Sequence, residues 1–550
     1  MLHVIIVGGG VAGLAAAISC RRAGHLCDVY EKSTMNNEVG AAINVPPNAT
    51  RFLTAWGLDP ALWCFVRSRR VTYQDPFSLD TIVATLSTDG AASGIGGAEL
   101  YYAHRVDLHN ALKAMATSPG GVGVPVNIHL GATVRAYDPE APSITLASGE
   151  TVTGDVVIGA DGVHSVASEA VTGSKNVPVP PEHSNSAFRF LIPAHVLEAD
   201  PETRFWNKDS SGWTRLFPHN ETKRRVVAYT CRDDRMHNFV GLFFEEKNEG
   251  QNDEDWQAGV GVDQVLAKYA DFDPRLLKVM SKATDVKKWP LLYRHPLSTY
   301  RRGKMALAGD AAHPMLPHQG QGGAQGLEDG LVLGMVLHGA SRATAGDIEE
   351  RLAVYDAVRR NRASVVQILS NVGQDQCHLV REELSKYLPE DKIPSESPAP
   401  FPLSSNIVVK SLWANIWTFF IDNPAEVLKH NFGYDVVRHT LRVMREHDPG
   451  FELPDDFFEG PVAGVPGDEP LEVKYATVLT PVPIFDPVPT NGPGAPPRDS
   501  VLRRLLRRIL AAVGRVREKM RRGKPGLGRR SREKGPGFWG SDKEPAYCRV

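Results

Sequence analysis

The chain has 550 residues, of which 62 are Lys or Arg and 64 are Asp or Glu, and its formal net charge at pH 7 is −2. Hydrophobic residues make up 42% and charged residues 23%, close to the values of ordinary globular proteins. This length and composition predict more than one folded domain and exclude a wholly disordered or fibrous chain, and the balanced charge argues against a nucleic-acid-binding protein.

The cysteines show no CxxC or zinc-type spacing, which predicts neither a disulfide framework nor a metal site and favours a reducing, intracellular setting. They are Cys20, Cys27, Cys64, Cys231, Cys377 and Cys548. No basic segment precedes the first apolar run, and no run of about 18 apolar residues occurs in the chain. We therefore expect neither a signal peptide nor a membrane span, and a cytoplasmic protein.

The first forty residues follow a strand, turn, helix, strand pattern. An apolar strand at 4–7 precedes Gly8, Gly10 and Gly13, an Ala-rich helical run follows, and a second strand ends at Glu31. In this GxGxxG arrangement the first glycine permits a tight turn, the second the approach of a pyrophosphate, and the third close packing of helix and strand. A carboxylate at the position of Glu31 binds a ribose hydroxyl and repels a 2′-phosphate. The segment therefore predicts a site for FAD or NAD rather than NADP.

Two further strands end where a carboxylate adjoins a glycine, at Asp161-Gly162 and at Gly309-Asp310. Glycine at such a strand end lets the backbone approach a polar ligand. The segment Gly320-Gln321-Gly322-Gly323 then opens a helical pattern, and a helix N-terminus suits the negative charge of a reduced flavin. Asp161 and Asp310 also have ordinary alternatives, as a turn residue and a helix cap.

Together these motifs resemble those of the group A flavoprotein monooxygenases, the family of p-hydroxybenzoate and salicylate hydroxylases. The GxGxxG, Asp-Gly and Gly-Asp motifs occur in the family's order, and the segments 40–49 and 104–109 are most similar to the salicylate hydroxylase branch. The resemblance covers about residues 1–445. Ser168 stands where the family's Asp-Gly motif usually has an arginine, a departure that bears on where a pyridine nucleotide docks.

The resemblance implies an α/β fold, with a Rossmann-like, doubly wound FAD-binding domain, an inserted mixed β-sheet substrate domain and C-terminal helices. Alternating apolar and polar residues in the middle of the chain agree with such a sheet. The implied segments are 1–170 and 301–345 for FAD binding, 171–300 for the substrate sheet, 346–450 for the helices, 451–500 for a Pro-rich linker and 501–550 for a basic tail.

By the same resemblance, Glu31 binds the adenosine ribose, Arg105 the phosphate side of FAD and Asp310 the ribityl chain, while 320–323 contact the isoalloxazine ring. The full implied cofactor set is Gly8, Gly10, Gly13, Glu31, Gly40, Ala42, Arg105, Asp161, Asp310, Gly320, Gly322 and Gly323. Arg105 has the alternative of a surface ion pair with Asp107. Because no second GxGxxG unit occurs, we expect NADH or NADPH to bind transiently as a co-substrate.

The implied reaction is hydroxylation of a small phenolic or aromatic substrate by O₂ and NAD(P)H through a C4a-hydroperoxyflavin. The substrate would be salicylate-like or a fungal-type aromatic polyketide. The alternatives are another flavin reaction on the same scaffold, such as epoxidation or oxidation, and a non-catalytic flavin-binding protein. Halogenation is disfavoured because the WxWxIP signature is absent.

Arg189 and Tyr229 are the candidate catalytic residues. Electrophilic oxygen attacks a phenolate more readily than a phenol, yet an unperturbed phenol titrates near a pKa of about 10. A guanidinium in a desolvated pocket favours the anion, and Arg189 lies between apolar neighbours in a strand-like run, with Tyr229 on a second strand. Both positions also resemble the arginine and tyrosine that orient phenolic substrates in fungal polyketide-hydroxylating relatives. In the alternative, Arg189 pairs with a structural carboxylate and Tyr229 belongs to the core.

The end of the chain changes composition. Prolines and glycines crowd 453–500, which predicts a linker. Residues 500–550 hold 16 Lys or Arg and 4 Asp or Glu, and apolar residues recur at helical spacing among the arginines from Leu502 to Met520. This pattern predicts a basic amphipathic helix that contacts an anionic membrane surface or an acidic partner. The alternative is a disordered tail without a role in the chemistry.

Overall fold

The structure is a computed structural model. It describes residues 1–35, 41–86, 97–179, 184–219, 221–245, 259–292, 294–344, 346–371, 380–389 and 430–459. Gly40, residues 460–500 of the linker and the basic tail lie outside the described residues, so the membrane or acidic-partner contact and the cytoplasmic location stay predictions. Every helix within the described ranges is too short or too polar to cross a bilayer.

The elements are numbered in chain order. The strands are β1 (His3–Val7), β2 (Leu26–Glu31), β3 (Ala42–Val45), β4 (Val66–Arg67), β5 (Arg70–Gln74), β6 (Thr81–Leu86), β7 (Tyr101–His104), β8 (Asn127–Leu130), β9 (Val134–Asp138), β10 (Ser143–Leu146), β11 (Thr151–Thr153), β12 (Val156–Gly159), β13 (Ser184–Pro193), β14 (Trp213–Pro218), β15 (Arg225–Cys231), β16 (Met236–Glu245), β17 (Gly259–Val260), β18 (Val286–Pro290), β19 (Arg301–Arg302) and β20 (Met305–Leu307). The helices are α1 (Val11–Arg22), α2 (Pro47–Ala55), α3 (Arg105–Thr117), α4 (Val166–Thr172), α5 (Ala194–Ala199), α6 (Val262–Lys268), α7 (Pro274–Met280), α8 (Gly322–Leu337), α9 (Asp347–Asn371), α10 (Val380–Ser385) and α11 (Val436–His447).

A six-stranded sheet has the order β19-β20-β12-β1-β2-β8, and its neighbours are parallel except for β19 and β20. Strands β12 and β20 are buried along their whole length, as expected of a parallel sheet covered on both faces. The strand ends of β1, β12 and β20 lie at one edge of this sheet. The GxGxxG, Asp-Gly and Gly-Asp motifs therefore meet at the edge where doubly wound sheets bind ligands.

Helices α1 and α8 pack closely because α8 presents glycines to α1. Gly326, Gly330 and Gly334 recur every four residues, so they share one face of the helix. A Cβ at the first would lie 3.0 Å from the Cβ of Ala12, at the second 2.4 Å from a backbone nitrogen of α1, and at the third 2.1 Å from the Oγ of Ser19. Any larger side chain at these positions would force the two helices apart.

A second sheet has eight strands in the order β17-β18-β13-β16-β15-β14-β5-β6. One face of this sheet packs against α6 and α7, and an aromatic core lies between them. This core includes Phe188, Phe190, Trp206, Phe217, Phe239 and Phe243. The opposite face packs against the dinucleotide-binding domain, where Val240 and Leu316 belong to one apolar cluster.

The predicted boundary of the substrate domain, 171–300, is incomplete. Strands β5 and β6, at Arg70–Leu86, belong to the same eight-stranded sheet because β5 pairs in parallel with β14. Strands β5 and β14 are separated by about 140 residues, and such a distant pairing leaves no local pattern in the sequence. The sequence therefore assigned β5 and β6 to the first domain.

The predicted linker begins too early. Phe451, Phe457 and Phe458 are all buried in the core of the dinucleotide-binding domain. Arg22 of α1 donates to the carbonyl oxygens of Phe457 at 2.6 Å and Asp456 at 3.0 Å. Residues 451–459 are therefore part of the folded domain, since their phenylalanines fill its core despite the nearby prolines.

We predict that a chain ending at residue 459 is more stable than a chain ending at residue 450. The shorter chain loses three buried phenylalanines and the acceptors of Arg22, and removal of one buried phenylalanine side chain costs about 3–5 kcal/mol. Urea unfolding followed by tryptophan fluorescence should show a loss of at least about 3 kcal/mol for the shorter chain. Equal unfolding free energies for the two chains would contradict the assignment of 451–459 to the fold.

Candidate active site

The glycine turn after β1 has the three properties expected of a dinucleotide-binding loop. Gly8 has a φ of +104°, and a Cβ there would lie 2.1 Å from the carbonyl oxygen of Ala160. A Cβ on Gly13 would lie 1.9 Å from the carbonyl oxygen of Gly8. By contrast, a Cβ on Gly10 would meet no atom within 4 Å. The first and third glycines are thus required by packing, whereas the second borders space that a ligand can occupy.

Glu31 ends β2 beside this turn. Its carboxylate accepts the backbone N–H of Gly9 at 2.7 Å and that of Ser33 at 2.8 Å. His109 of α3 holds the same turn from the other side, since its Nε2 lies 2.7 Å from the carbonyl oxygen of Gly9. The carboxylate is therefore fixed at the strand end and keeps lone pairs for a diol.

Asp310 and Arg105 are opposite charges without a protein partner. Asp310 follows Gly309, whose φ is +63°, and neither its carboxylate nor the Arg105 guanidinium forms a hydrogen bond or ion pair within the described residues. The carboxylate is open to solvent, but protein atoms surround it on most sides. This desolvation raises the pKa of Asp310, while the nearby charges of His313 and Arg105 act in the opposite direction.

The alternative of an Arg105–Asp107 ion pair is wrong. Asp107 pairs instead with Arg232, whose Nη2 and Nε donate to its two oxygens at 2.8 and 2.9 Å. This bidentate contact across α3 and the β15–β16 turn leaves Arg105 free to bind a ligand.

Asp161 serves its own turn. Its carboxylate accepts the backbone N–H groups of Val166 and Ala167 at 2.9 and 3.0 Å, and the hydroxyl of Tyr137 at 3.0 Å. The hydroxyl of Ser165 donates to its other oxygen at 2.5 Å. The carboxylate therefore caps α4, as the turn alternative expects, and its contact with FAD stays a prediction.

The Gly320–Gly323 segment lies against β3. Gly320 has a φ of +61°, and a Cβ there would lie 2.6 Å from the Nδ2 of Asn44, while a Cβ on Gly323 would lie 2.7 Å from Ile43. Gly322 begins α8 and has only Met315 near its Cβ position, at 3.6 Å. The Oδ1 of Asn44 is buried and has no hydrogen-bond partner within the described residues. The start of α8 and β3 thus adjoin one another, and the backbone N–H groups at the helix start suit a negatively charged ligand.

Ala42 joins β3 to the eight-stranded sheet through its backbone. Its N–H donates to the Oδ1 of Asn238 at 3.2 Å, and its carbonyl oxygen accepts the hydroxyl of Tyr229 at 3.3 Å. Tyr229 and Asn238 are opposite one another on β15 and β16. The two side chains therefore fix the segment 42–45 from the side of the eight-stranded sheet.

Arg189 lies on the same face of the sheet as Tyr229. It is opposite Val240 on β16, which in turn is opposite Val227 on β15. The guanidinium carbon is 4.4 Å from the centre of the Trp289 ring, and Nε is buried without a hydrogen-bond partner. Burial lowers the pKa of Arg189, as does Arg105, while Tyr229 opposes the shift.

The alternative roles of Arg189, as the partner of a structural carboxylate, and of Tyr229, as a core residue, differ in how well the structure supports them. Arg189 forms no ion pair with a carboxylate anywhere in the described residues, so that alternative is not supported. Tyr229 is 8% exposed, its ring centre lies 4.7 Å from that of Tyr102 with the ring planes tilted by 35°, and its burial raises its pKa. It is thus a core residue whose hydroxyl nevertheless lies at the edge of the site.

Arg225 and His318 were not found by sequence reasoning. The Nη2 of Arg225 is 2.7 Å from the Nδ1 of His318, in the turn just before Gly320. A guanidinium can only donate, so Nδ1 accepts and the proton of the neutral ring is on Nε2. Burial, and then the charge of Arg225, lowers the pKa of His318 well below its ordinary value and keeps the ring neutral. The pair joins β15 to a distant loop, and no sequence spacing indicates it.

The arrangement fits FAD, and the comparisons with known proteins agree. Residues 1–369 match the family described as FAD binding domain, so the chain belongs to that family. It is 49% identical over 456 residues to the FAD-dependent monooxygenase cfoG of Aspergillus candidus, covering 83% of this chain and 98% of that protein. It is 34% identical over 374 residues to hispidin-3-hydroxylase of Neonothopanus nambi, covering 66% and 86% of the two chains.

A solved salicylate hydroxylase substrate complex superposes with a TM-score of 0.58 at 23% identity, covering 80% of this chain and 97% of that one, and it shares the fold. The chain is therefore an FAD-dependent monooxygenase of the aromatic hydroxylase group.

We predict that Gly10→Ala and Gly13→Ala separate binding from folding. Gly10 has a φ of −76° and space for a Cβ, so its alanine variant should fold with a melting temperature within about 2 °C of the parent. It should bind FAD at least tenfold more weakly, because the methyl group enters the ligand space. Gly13→Ala should lower the melting temperature of the apo-protein.

Thermal unfolding of the apo-proteins and FAD titration by fluorescence quenching measure the two effects. Unchanged FAD affinity in Gly10→Ala would contradict the placement of the cofactor at this turn.

Proposed function

We propose that this protein hydroxylates a small phenolic substrate, salicylate-like or a fungal-type aromatic polyketide, with O₂ and NADH or NADPH. The observation that carries the proposal is Arg189, a guanidinium with no carboxylate partner in the described residues, on the sheet face that contacts β3 through Tyr229. A half-buried cation without a carboxylate partner favours an anionic ligand.

The cofactor would be held by the charges and the glycine turns that the protein itself leaves open. Glu31 would bind the adenosine ribose, Arg105 the pyrophosphate beside Gly10, and Asp310 the ribityl chain. The backbone N–H groups of 320–323 would face the isoalloxazine ring, next to the unpaired oxygen of Asn44. When bound and reduced, FAD supplies an electrophilic oxygen derived from O₂.

The substrate ring would lie in an apolar slot between the sheet and the Gly-Asp segment. Ala187, Val240 and Leu242 on the sheet form one cluster with Leu291 and Leu316, and Val227 packs against it. Such walls exclude water from the reacting oxygen, which otherwise is lost to side reactions. A flat aromatic ring with a polar group directed at the sheet would lie against these apolar side chains.

Arg189 would stabilise the phenolate at neutral pH. An unperturbed phenol is largely neutral below a pKa of about 10, whereas a guanidinium nearby favours the anion in a desolvated site. The hydroxyl of Tyr229, on the same face, would donate to the same oxyanion. The ring then carries more electron density at the carbon that receives oxygen.

NADH or NADPH would bind transiently. Within the described residues only one sheet has the doubly wound parallel order, and the proposal assigns its edge to FAD. Ser168, at the position of the family's arginine, is buried and its N–H donates to Ser165, so it offers no cation to a phosphate.

We predict that Arg189→Gln and Tyr229→Phe keep FAD but lose hydroxylation, by at least about 100-fold and 10-fold, because oxyanion contacts contribute roughly 1.5–3 kcal/mol. Product mass and NAD(P)H oxidation with a panel of phenols, including salicylate and resorcinol-type rings, measure the loss. Lys278→Gln is the control, since Lys278 is an exposed cation on α7, beyond the other face of the sheet. Near-parental product formation by both variants would rule out the assignment.

The pH profile gives a second test. In the parent, Arg189 lowers the pKa of the bound phenol, so activity persists above that lowered value and is lost as pH falls through it. In Arg189→Gln the ionisation should return toward about 10, so residual activity should rise with pH across the range in which the parent is constant. Absorbance of the bound phenolate reports the ionisation directly. Superimposable profiles would count against the role of Arg189.

A further inference from the structure

Four charged side chains are buried together behind the proposed flavin site. Glu328 and Asp329 lie on α8, and Arg359 and Arg362 on α9. The side chains of the first three are 0% exposed and that of Arg362 is 3% exposed. The cluster contains two cations and two anions, so it is balanced without a ligand, and no step of the proposed chemistry uses it.

Arg359 links the two carboxylates. Its Nη1 donates to Glu328 at 2.5 Å and its Nε to Asp329 at 2.8 Å, while Nη2 donates to the side-chain oxygen of Gln325 at 2.8 Å. The opposite charges of Glu328 and Asp329 raise the pKa of Arg359 despite its burial, and the guanidinium helps to lower the pKa of Asp329. Arg359 and Asp329 therefore remain ionised at neutral pH.

Asp329 holds the Gly-Asp turn. One oxygen accepts the backbone N–H of Gly309 at 2.8 Å and lies 2.5 Å from the Nε2 of His313. Gly309 immediately precedes Asp310, and His313 follows it by three residues. The position of the Asp310 backbone is thus tied to a carboxylate that Arg359 orients from the other side.

Glu328 holds the segment after β3 and the start of α8. Its Oε1 accepts the Nδ2 of Asn48 at 2.6 Å, and the same amide lies 3.2 Å from the side-chain oxygen of Gln321. Gln325 continues the network by donating to Gln321 at 3.2 Å. The Arg359 guanidinium is therefore connected to three segments, each through one carboxylate or amide. They are the turn at 309–310, the helix start at 320–323 and the end of the segment 42–48.

We infer that Arg359 is a positioning residue for the flavin: through Asp329 and Glu328 it holds three flavin-facing segments in fixed relative positions. The inference rests on the proposed function, which places these segments around the isoalloxazine ring and ribityl chain. A guanidinium suits this task because it is planar and reaches two carboxylates at once, which the single ammonium of a lysine does not do.

Arg351 provides a matched control on the same helix. It donates to Asp347 at 2.9 Å and to the carbonyl oxygens of Val336 and His338 at 3.0 and 2.8 Å. It is thus an arginine of α9 with a carboxylate and two contacts to α8, but at the end of α8 remote from Gly322. A purely structural contribution would be common to both arginines.

The experiment compares Arg359→Lys and Arg351→Lys with the parent. Apo-proteins are titrated with FAD, and the visible spectrum and midpoint potential of the bound flavin are recorded without substrate. We expect Arg359→Lys to weaken FAD binding at least tenfold and to shift the flavin spectrum, whereas Arg351→Lys lowers the melting temperature with FAD affinity within twofold of the parent. Parental FAD affinity, spectrum and potential in Arg359→Lys would overturn the inference.

Glu328→Gln keeps the test decisive if Arg359→Lys does not fold. This nearly isosteric change weakens the hydrogen bond between residue 328 and Asn48, and it leaves the hydrogen bond of Asp329 with Gly309 in place. A three- to tenfold loss of FAD affinity in a folded Glu328→Gln protein supports the inference, and parental affinity and spectrum overturn it. Failure of the parent itself to bind FAD would instead contradict the proposed function, and loss of hydroxylation with parental flavin properties would concern the substrate site alone.

Discussion

The close contact of α1 with α8 is the constraint on which the site depends. Three glycines on α8 let its backbone approach the backbone of α1. The beginning of the chain and a segment more than 300 residues later therefore form one unit. Gly309 joins the same contact, since a Cβ there would lie 2.7 Å from the Cβ of Ala12. The turn after β1 and the turn after β20 border a common space at the carboxyl edge of the sheet only because α1 and α8 lie this close together.

Charges around that space are distributed in two ways. Behind the site, Arg359 is fully compensated by Glu328 and Asp329, which makes the support rigid because breaking one pair would leave a buried charge. Facing the site, Arg105, Arg189 and Asp310 form no ion pair within the described residues, and Arg189 lies over the Trp289 ring. A protein tolerates such exposed or half-buried charges where a ligand supplies the missing partner. In the proposed function, this contrast separates the groups that position the site from the groups that bind FAD and the substrate.

The sequence predicted best those features that local geometry determines. Gly8 and Gly13 have the turn and packing roles that their spacing indicates, Gly10 has no atom within 4 Å of its Cβ position, and the fold class with its mixed sheet is confirmed. Asp161 caps a helix, and a carboxylate beside a glycine at a strand end has the same sequence pattern whether it caps a helix or binds a ligand.

Features that depend on distant parts of the chain could not be predicted. The pairing of β5 with β14, the burial of Phe457 and the contact of Arg225 with His318 each join segments with no shared periodicity. The alternative of an Arg105–Asp107 pair is wrong for a related reason, since the partner of Asp107 is Arg232, from a turn of the other sheet. Sequence spacing records neighbours along a helix or strand, whereas these contacts are decided by packing.

In the proposed function, Tyr229 has two competing hydrogen bonds, one to the backbone of Ala42 and one to the substrate. Its hydroxyl has one proton, which it donates to the carbonyl oxygen of Ala42 at 3.3 Å, a long hydrogen bond. Donation to a substrate phenolate would take that proton away from Ala42, at a cost of about 1 kcal/mol that the stronger bond to an anion exceeds. Asn238 would still hold the N–H of Ala42, so the segment at the flavin edge is loosened but not released. In the proposed function, therefore, substrate binding and the position of the flavin-facing strand are coupled through one hydroxyl group.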